Sequence, residues 1–298
     1  MTDAPTTEPL VLADDPRPRV RRLTLNRPAK RNAMSNSVRR VLFDELRRAD
    51  QDDDVSVTVI RGAGPSFCSG YDLSPEPNDP LPRPIATRDG FWSRHLVEGW
   101  FEMMDMATPI IAQVHGYCLA GGSELAAACD LVYVAEDATI GYPPVRTMSS
   151  PDFLWQPWLL GWRRSMEAVL TGDSLTGVQA VEGGYANRAF PAAELEAEVL
   201  AVAERVAQIP GDLLALNKRT VHRALEAMGM RAGVRAGTEL QALGLHQRSS
   251  REYMPKLRSL GVKGAVEDRD SPFGDGRGEA GRAAADPPTD TQPTPEPN

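Results

Sequence analysis

The chain has 298 residues, 41% of them hydrophobic, and carries 33 Lys and Arg against 41 Asp and Glu, a net charge of −8. That length allows one large domain or a domain with an appendage. Its acidic balance and dispersed basic residues argue against nucleic-acid and anionic-membrane partners.

Residues 1–15 read as a flexible N-terminus, polar and without the apolar core of a signal peptide. Val20–Leu25 alternates as a half-buried strand does, and Asn26, Arg27 and Pro28 end it. Ser35 caps a helix that runs to residue 49, with Val38, Val41, Leu42 and Leu46 on one face. The β-branched run 55–60 predicts a strand buried on both faces, so strand, helix and strand imply a right-handed parallel crossover. Five prolines between residues 74 and 84 predict a mobile surface loop. A helix follows over 91–106, then strands over 109–114 and 131–135. Beyond Phe153 the pattern is helical: 163–170, 176–182, 192–208, 212–228 and 232–247. From Gly274 the chain lacks bulky apolar residues and reads as a disordered tail over 274–298. No run approaches the roughly 20 apolar residues of a membrane helix.

The most informative stretch is 114–130 (VHGYCLAGGSELAAACD). A strand runs into a small-residue turn, and a helix begins near Gly122. The first amides of that helix have no intrahelical partner, and with the helix dipole they suit a developing oxyanion. Glu124 places an acid or base in the first turn. Other readings of single residues are structural. His115 ends a strand, and four histidines without HExxH or clustered spacing give no metal site. Cys68, Cys118 and Cys129 show no CxxC pairing, which suits a reduced cytoplasmic compartment, and they read as small buried hydrophobes. Ser123 is not in a Gly-x-Ser-x-Gly elbow. Phe153, Trp155, Trp158 and Trp162 read as a helix-face core, or as a lining for a bulky acyl group.

Four motifs resemble those of the crotonase (enoyl-CoA hydratase/isomerase) superfamily: 25–34 (LNRPAKRNAM), 61–73 (RGAGPSFCSGYDL), the stretch above, and 170–173 (LTGD). The resemblance implies an α/β protein with a crotonase-like ββα spiral core, set here at 16–205. It also implies a C-terminal helical oligomerisation region, set at 206–273, which packs subunits into homotrimers or dimers of trimers. It implies an acyl-CoA thioester substrate, so that coenzyme A enters with the substrate and no separate cofactor is needed. The backbone N–H groups of Tyr71 and Gly121 then correspond to the oxyanion hole, Glu124 to the first catalytic glutamate, and Lys30, Arg31, Asp72 and Leu73 to the segments along which CoA runs. The second hydratase glutamate is missing, because Pro144 stands at its position. Asp152, eight residues on, falls where related branches place an acid, base or nucleophile, and it could equally cap the next helix.

The expected chemistry is therefore hydratase/isomerase-type on an unusual acyl group, through a thioester enolate, with Glu124 and Asp152 as acid and base. Thioester hydrolysis or carbon–carbon cleavage is the alternative. A non-catalytic crotonase homologue, or a relative acting on a free diketone, remains beside them.

Overall fold

The computed structural model describes residues 8–74 and 92–276. The proline-rich loop from residue 75 onward and most of the expected tail, from 277, lie outside the described residues. β1 (Val11–Arg17) and β2 (Val20–Leu25) form an antiparallel hairpin in which Val11 faces Leu25. This corrects the expected flexibility for residues 11–15, while residues 1–7 lie outside the described residues. Asp14 and Asp15 face solvent on an edge strand, tied to Arg22 at 2.6 Å and Arg21 at 2.5 Å. The register shifts between Asp14 and Arg17, where Pro16 cannot donate to the ladder.

α1 (Asn36–Asp50) starts at Ser35, whose hydroxyl accepts the Val38 N–H at 3.3 Å, and it buries Val38, Leu42, Leu46 and Ala49 along one stripe. β3 (Val57–Gly62) then pairs parallel with β2, and its first four residues are buried. α2 (Trp92–Asp105) leads into β4 (Ile110–Val114), which is buried throughout and parallel to β3. The chain continues through β5 (Tyr117–Leu119), α3 (Gly121–Ala127), β6 (Leu131–Ala135) and β7 (Thr139–Gly141). After α4 (Gln156–Leu159) and α5 (Gly161–Thr171) come β8 (Leu175–Thr176), α6 (Gly177–Gly183), β9 (Arg188–Phe190) and α7 (Leu195–Ala207).

The described strands make two sheets. One runs β1-β2-β3-β4-β6-β9, parallel except at the β1–β2 hairpin, and the other runs β5-β7-β8. α7 lays Leu195, Val199 and Ala203 against the large sheet.

α8 (Gly211–Ala227), α9 (Met230–Leu245) and α10 (Arg248–Asp270) complete the chain, and α10 is interrupted at Gly261, where φ is 69°. α8 is pinned to the sheet by Asp130, which accepts the Ile110 N–H at 2.7 Å and holds Lys218 at 2.8 Å and His222 at 3.0 Å. Beside it, a cavity of about 340 Å³ between α2, α8 and α9 is lined by Lys218, His222 and Arg231. Leu216 and Val221 on α8, Met228 just after it, and Leu240 and Leu243 on α9 are 60–69% exposed. No described helix is long and apolar enough to cross a membrane.

Candidate active site

The loop after β3 runs alongside β5, which leads through Ala120 into α3. The Cys68 N–H donates to the Tyr117 carbonyl at 2.9 Å, and the Leu119 N–H to the Cys68 carbonyl at 3.0 Å. Asn32, only 1% exposed, staples the loop after β3 from inside. Its nitrogen donates to the carbonyls of Ala63 (2.9 Å) and Ser66 (2.7 Å), and its oxygen accepts the Arg27 N–H (2.9 Å). His115 serves the same loop, with Nε2 2.8 Å from the Gly64 carbonyl.

Each segment ends in a positive-φ turn. Gly70 (φ 111°) precedes Tyr71, and Ala120 (φ 47°) precedes Gly121. A Cβ on Gly70 would lie 2.9 Å from the Ala120 Cβ and 3.5 Å from the Gly121 nitrogen, so the two turns touch. Ala120, at ψ −122°, carries strain of about 1–3 kcal/mol for an L-residue. It is held there by donating to the Gly141 carbonyl at 2.8 Å, while its own carbonyl accepts from Ser123 Oγ at 2.8 Å and the Glu124 N–H at 3.1 Å.

Glu124 points from the first turn of α3 into the interior and is fully buried. Its Oε2 accepts the Tyr71 hydroxyl at 2.5 Å, and its Oε1 accepts the Phe153 N–H at 3.0 Å. Asp152, the residue before Phe153, is 2% exposed, and its Oδ2 accepts the Tyr142 hydroxyl at 3.1 Å. Burial, followed by the neighbouring Asp152 charge, holds the Glu124 carboxyl well above its ordinary range, against the opposing contacts of Tyr71, Phe153 and Trp100. Burial and the two carboxylates likewise raise the Tyr71 and Tyr142 hydroxyls, so both stay protonated donors at neutral pH. Two carboxyl groups and two phenols thus form one buried cluster.

The structure brings Glu124 and Asp152 together. Asp152 does not cap a helix, since α4 begins after Trp155 and its cap makes no side-chain bond. Pro144 sits in the turn Pro143–Arg146, and two residues earlier Tyr142 supplies the hydroxyl that reaches Asp152. Lys30 and Arg31 lie on the same side as Tyr71, through the bonds Ser69 N–H to the Arg31 carbonyl and Met34 N–H to the Gly70 carbonyl.

Asp72 is already engaged: its carboxylate meets Arg27 at 2.8 Å and Lys30 at 3.3 Å and accepts the Ser74 N–H at 2.9 Å. Although burial works the other way, these bonds hold its carboxyl below the ordinary range. Leu73 beside it is half-buried.

Cys68 is buried, which pushes its thiol up to about 12 and removes it as a nucleophile. The four aromatics expected together divide. Phe153 packs on Phe101 at 5.9 Å and Trp155 on Tyr185 at 4.6 Å, whereas Trp162 is 76% exposed. The spacing of residues 153–162 matched one helix face, but Phe153 and Trp155 precede α4, and Gly161 (φ 70°) separates Trp158 on α4 from Trp162 on α5. Sequence reasoning missed the phenols of Tyr71 and Tyr142 and the staple Asn32. Asn32 and Tyr71 both lay inside motifs that could have flagged them.

Strand and helix turns wound into a spiral, closed by a helical C-terminal region, make this a crotonase fold. The crystal structure of an enoyl-CoA hydratase from Mycobacterium smegmatis shares it with a TM-score of 0.81 at 32% identity, over 90% of this chain and 96% of that one. The model of the enoyl-CoA hydratase/isomerase family matches residues 17–276, and the chain belongs to that family. A putative enoyl-CoA hydratase of Mycobacterium tuberculosis is 34% identical over 72% of this chain and 74% of its own length. The 2,3-dehydroadipyl-CoA hydratase of Escherichia coli is 32% identical over 76% of this chain and 86% of its own length.

Proposed function

We propose that the protein transforms an acyl-CoA thioester through an enolate, with hydratase/isomerase-type chemistry. The observation that carries this reading is the contact of the two positive-φ turns at Gly70 and Ala120 with the buried Glu124 behind them. The amides of Tyr71 and Gly121 then receive the thioester oxygen. Charge develops on that oxygen only as the α-proton leaves, so fixed donors favour the transition state over the bound substrate, each by about 10²–10³ in rate. Glu124 and Asp152 take and return protons on the acyl side. One of two coupled carboxyls, held protonated by its neighbour's charge, acts as acid while the other acts as base.

Coenzyme A enters as part of the substrate, and its phosphates fall to Lys30 and Arg31. Asp72 and Leu73 shape that channel, Asp72 by holding Lys30 rather than by touching the ligand. Relatives named as hydratases support the substrate class. A second reading, thioester hydrolysis or carbon–carbon cleavage, is favoured by Pro144, which leaves no carboxylate at the usual second position. The exposed apolar side chains of α8 and α9 support a homotrimer or a dimer of trimers, and the cytoplasm is the proposed compartment.

Incubation with crotonyl-, branched-, aromatic- and alicyclic-CoA thioesters, read by mass spectrometry after chromatography, tests the reading. A product one water heavier marks hydration, an unchanged mass at a new retention time marks isomerisation, and released CoA marks hydrolysis. Failure of every thioester to bind or react refutes it.

A further inference from the structure

The Tyr71 side chain does not leave the site that its amide helps to form. Its ring is seated on Gly121, where a Cβ would lie 2.6 Å from the ring carbon bearing the hydroxyl. That hydroxyl donates to Glu124 Oε2 at 2.5 Å, while the Phe153 N–H occupies Oε1 at 3.0 Å. Glu124 is fully buried, whereas Tyr71 is partly exposed. The phenol therefore covers Oε2 of the carboxylate on the side where the two turns meet. A proton moving from an acyl group held there to Glu124 meets the phenol oxygen first. A small residue at 71 would leave Glu124 to act directly.

We infer that the Tyr71 phenol is itself a catalytic residue, a proton carrier between the acyl α-carbon and Glu124; this rests on the enolate reading above. As the α C–H bond breaks, its electron pair stays with the enolate and the proton bonds to the phenol oxygen. The original phenol proton passes in the same event to Glu124 Oε2. Reprotonation of the carbon runs the sequence backward, and solvent hydrogen reaches the carbon once water has exchanged the proton held on the phenol, so water is the only other reactant. The charged groups around the phenol are Glu124, Asp152 and Arg39. The two acids keep it neutral, and Arg39 favours the transient phenolate.

Exchange of α-hydrogen for deuterium in butyryl-CoA, followed by mass spectrometry in D₂O, tests the assignment on the full chain. Tyr71→Phe keeps the ring on Gly121 and removes only the hydroxyl. Exchange is expected to fall by about 10²-fold or more, with butyryl-CoA binding changed by less than about threefold. Glu124→Gln should lose a similar factor, and the double variant should be no slower than the slower single, because the two groups act as one unit. Replacement of Tyr71 by 3,5-difluorotyrosine should move the alkaline limb of the exchange profile to lower pH, an effect no purely structural role produces. Tyr71→Phe exchanging within about threefold of wild type overturns the inference. If Tyr71→Phe proves unstable, an unmoved profile in the fluorinated protein overturns it instead. Absence of binding and exchange in the wild type would sink the enolate reading itself, a different outcome from wild-type exchange that survives loss of the phenol.

Discussion

Replacing Gly70 by Ala attacks the pivot on which both turns rest. At φ 111° an L-residue is strained by about 1–3 kcal/mol. The new methyl would also stand 2.9 Å from the Ala120 Cβ and 3.1 Å from the Leu119 carbonyl oxygen. Relieving such overpacking by backbone movement costs a further 1–3 kcal/mol or so. Together these predict a loss of about 2–6 kcal/mol, and a fall in Tm on the order of 5–15 °C for a chain of this size. The catalytic effect is separable from the stability effect. Spreading the turns displaces one proposed donor, and losing one such donor costs about 10²–10³ in turnover. Calorimetry gives the first number, and deuterium exchange in butyryl-CoA, measured well below the lowered Tm, gives the second. A Tm within about 2 °C of wild type, with exchange within about twofold, would refute the argument that Gly70 sets the spacing of the two amides.

Ala120→Gly works in the opposite sense. It relieves a strain of about 1–3 kcal/mol while adding roughly 0.5–1 kcal/mol of chain entropy, so urea unfolding should show equal or greater stability. The Glu124 carboxyl is held above its unfolded value of about 4.3, so the stability linked to its protonated form is complete below that pH and is lost as pH rises through the folded value. Glu124→Gln cannot ionise, and its Tm relative to wild type should therefore rise from about pH 5 to about pH 8; a flat difference counts against the buried-carboxyl argument. Asp130→Ala leaves the Lys218 ammonium, whose side chain is 6% exposed, without its carboxylate. The expected cost is about 3–5 kcal/mol by urea unfolding, and Asp130→Asn with Lys218→Met should lose much less.

The first βαβ unit was readable because its signals are local. Ser35 announces α1, a helical stripe runs from Val38 to Ala49, and the β-branched run at β3 is buried where expected. β1 was not, since Asp14, Asp15 and Pro16 look like a turn until the arginines of β2 neutralise them across the hairpin. β5, β7, β8 and β9 have two or three residues each, too few for a period to show. α10 was missed because Pro255 and Gly261 punctuate it. Glu124 and Gly121 announce themselves through a motif within one loop and helix, and Asp152 through its distance from Pro144. The duties of the Tyr71 and Tyr142 hydroxyls arise only when separate segments of the chain meet, and no local spacing encodes that meeting.

The cradle proposed for the thioester oxygen is made of peptide nitrogens, and every amino acid except proline supplies one. Position 71 is thus released from the duty its own backbone performs. Under the proposed chemistry, divergence at that one codon exchanges a phenol for an alkyl or acidic group and redirects the fate of the enolate while thioester recognition endures. Diversity of outcome then comes from side chains alone, grafted onto an unchanging polyamide grip.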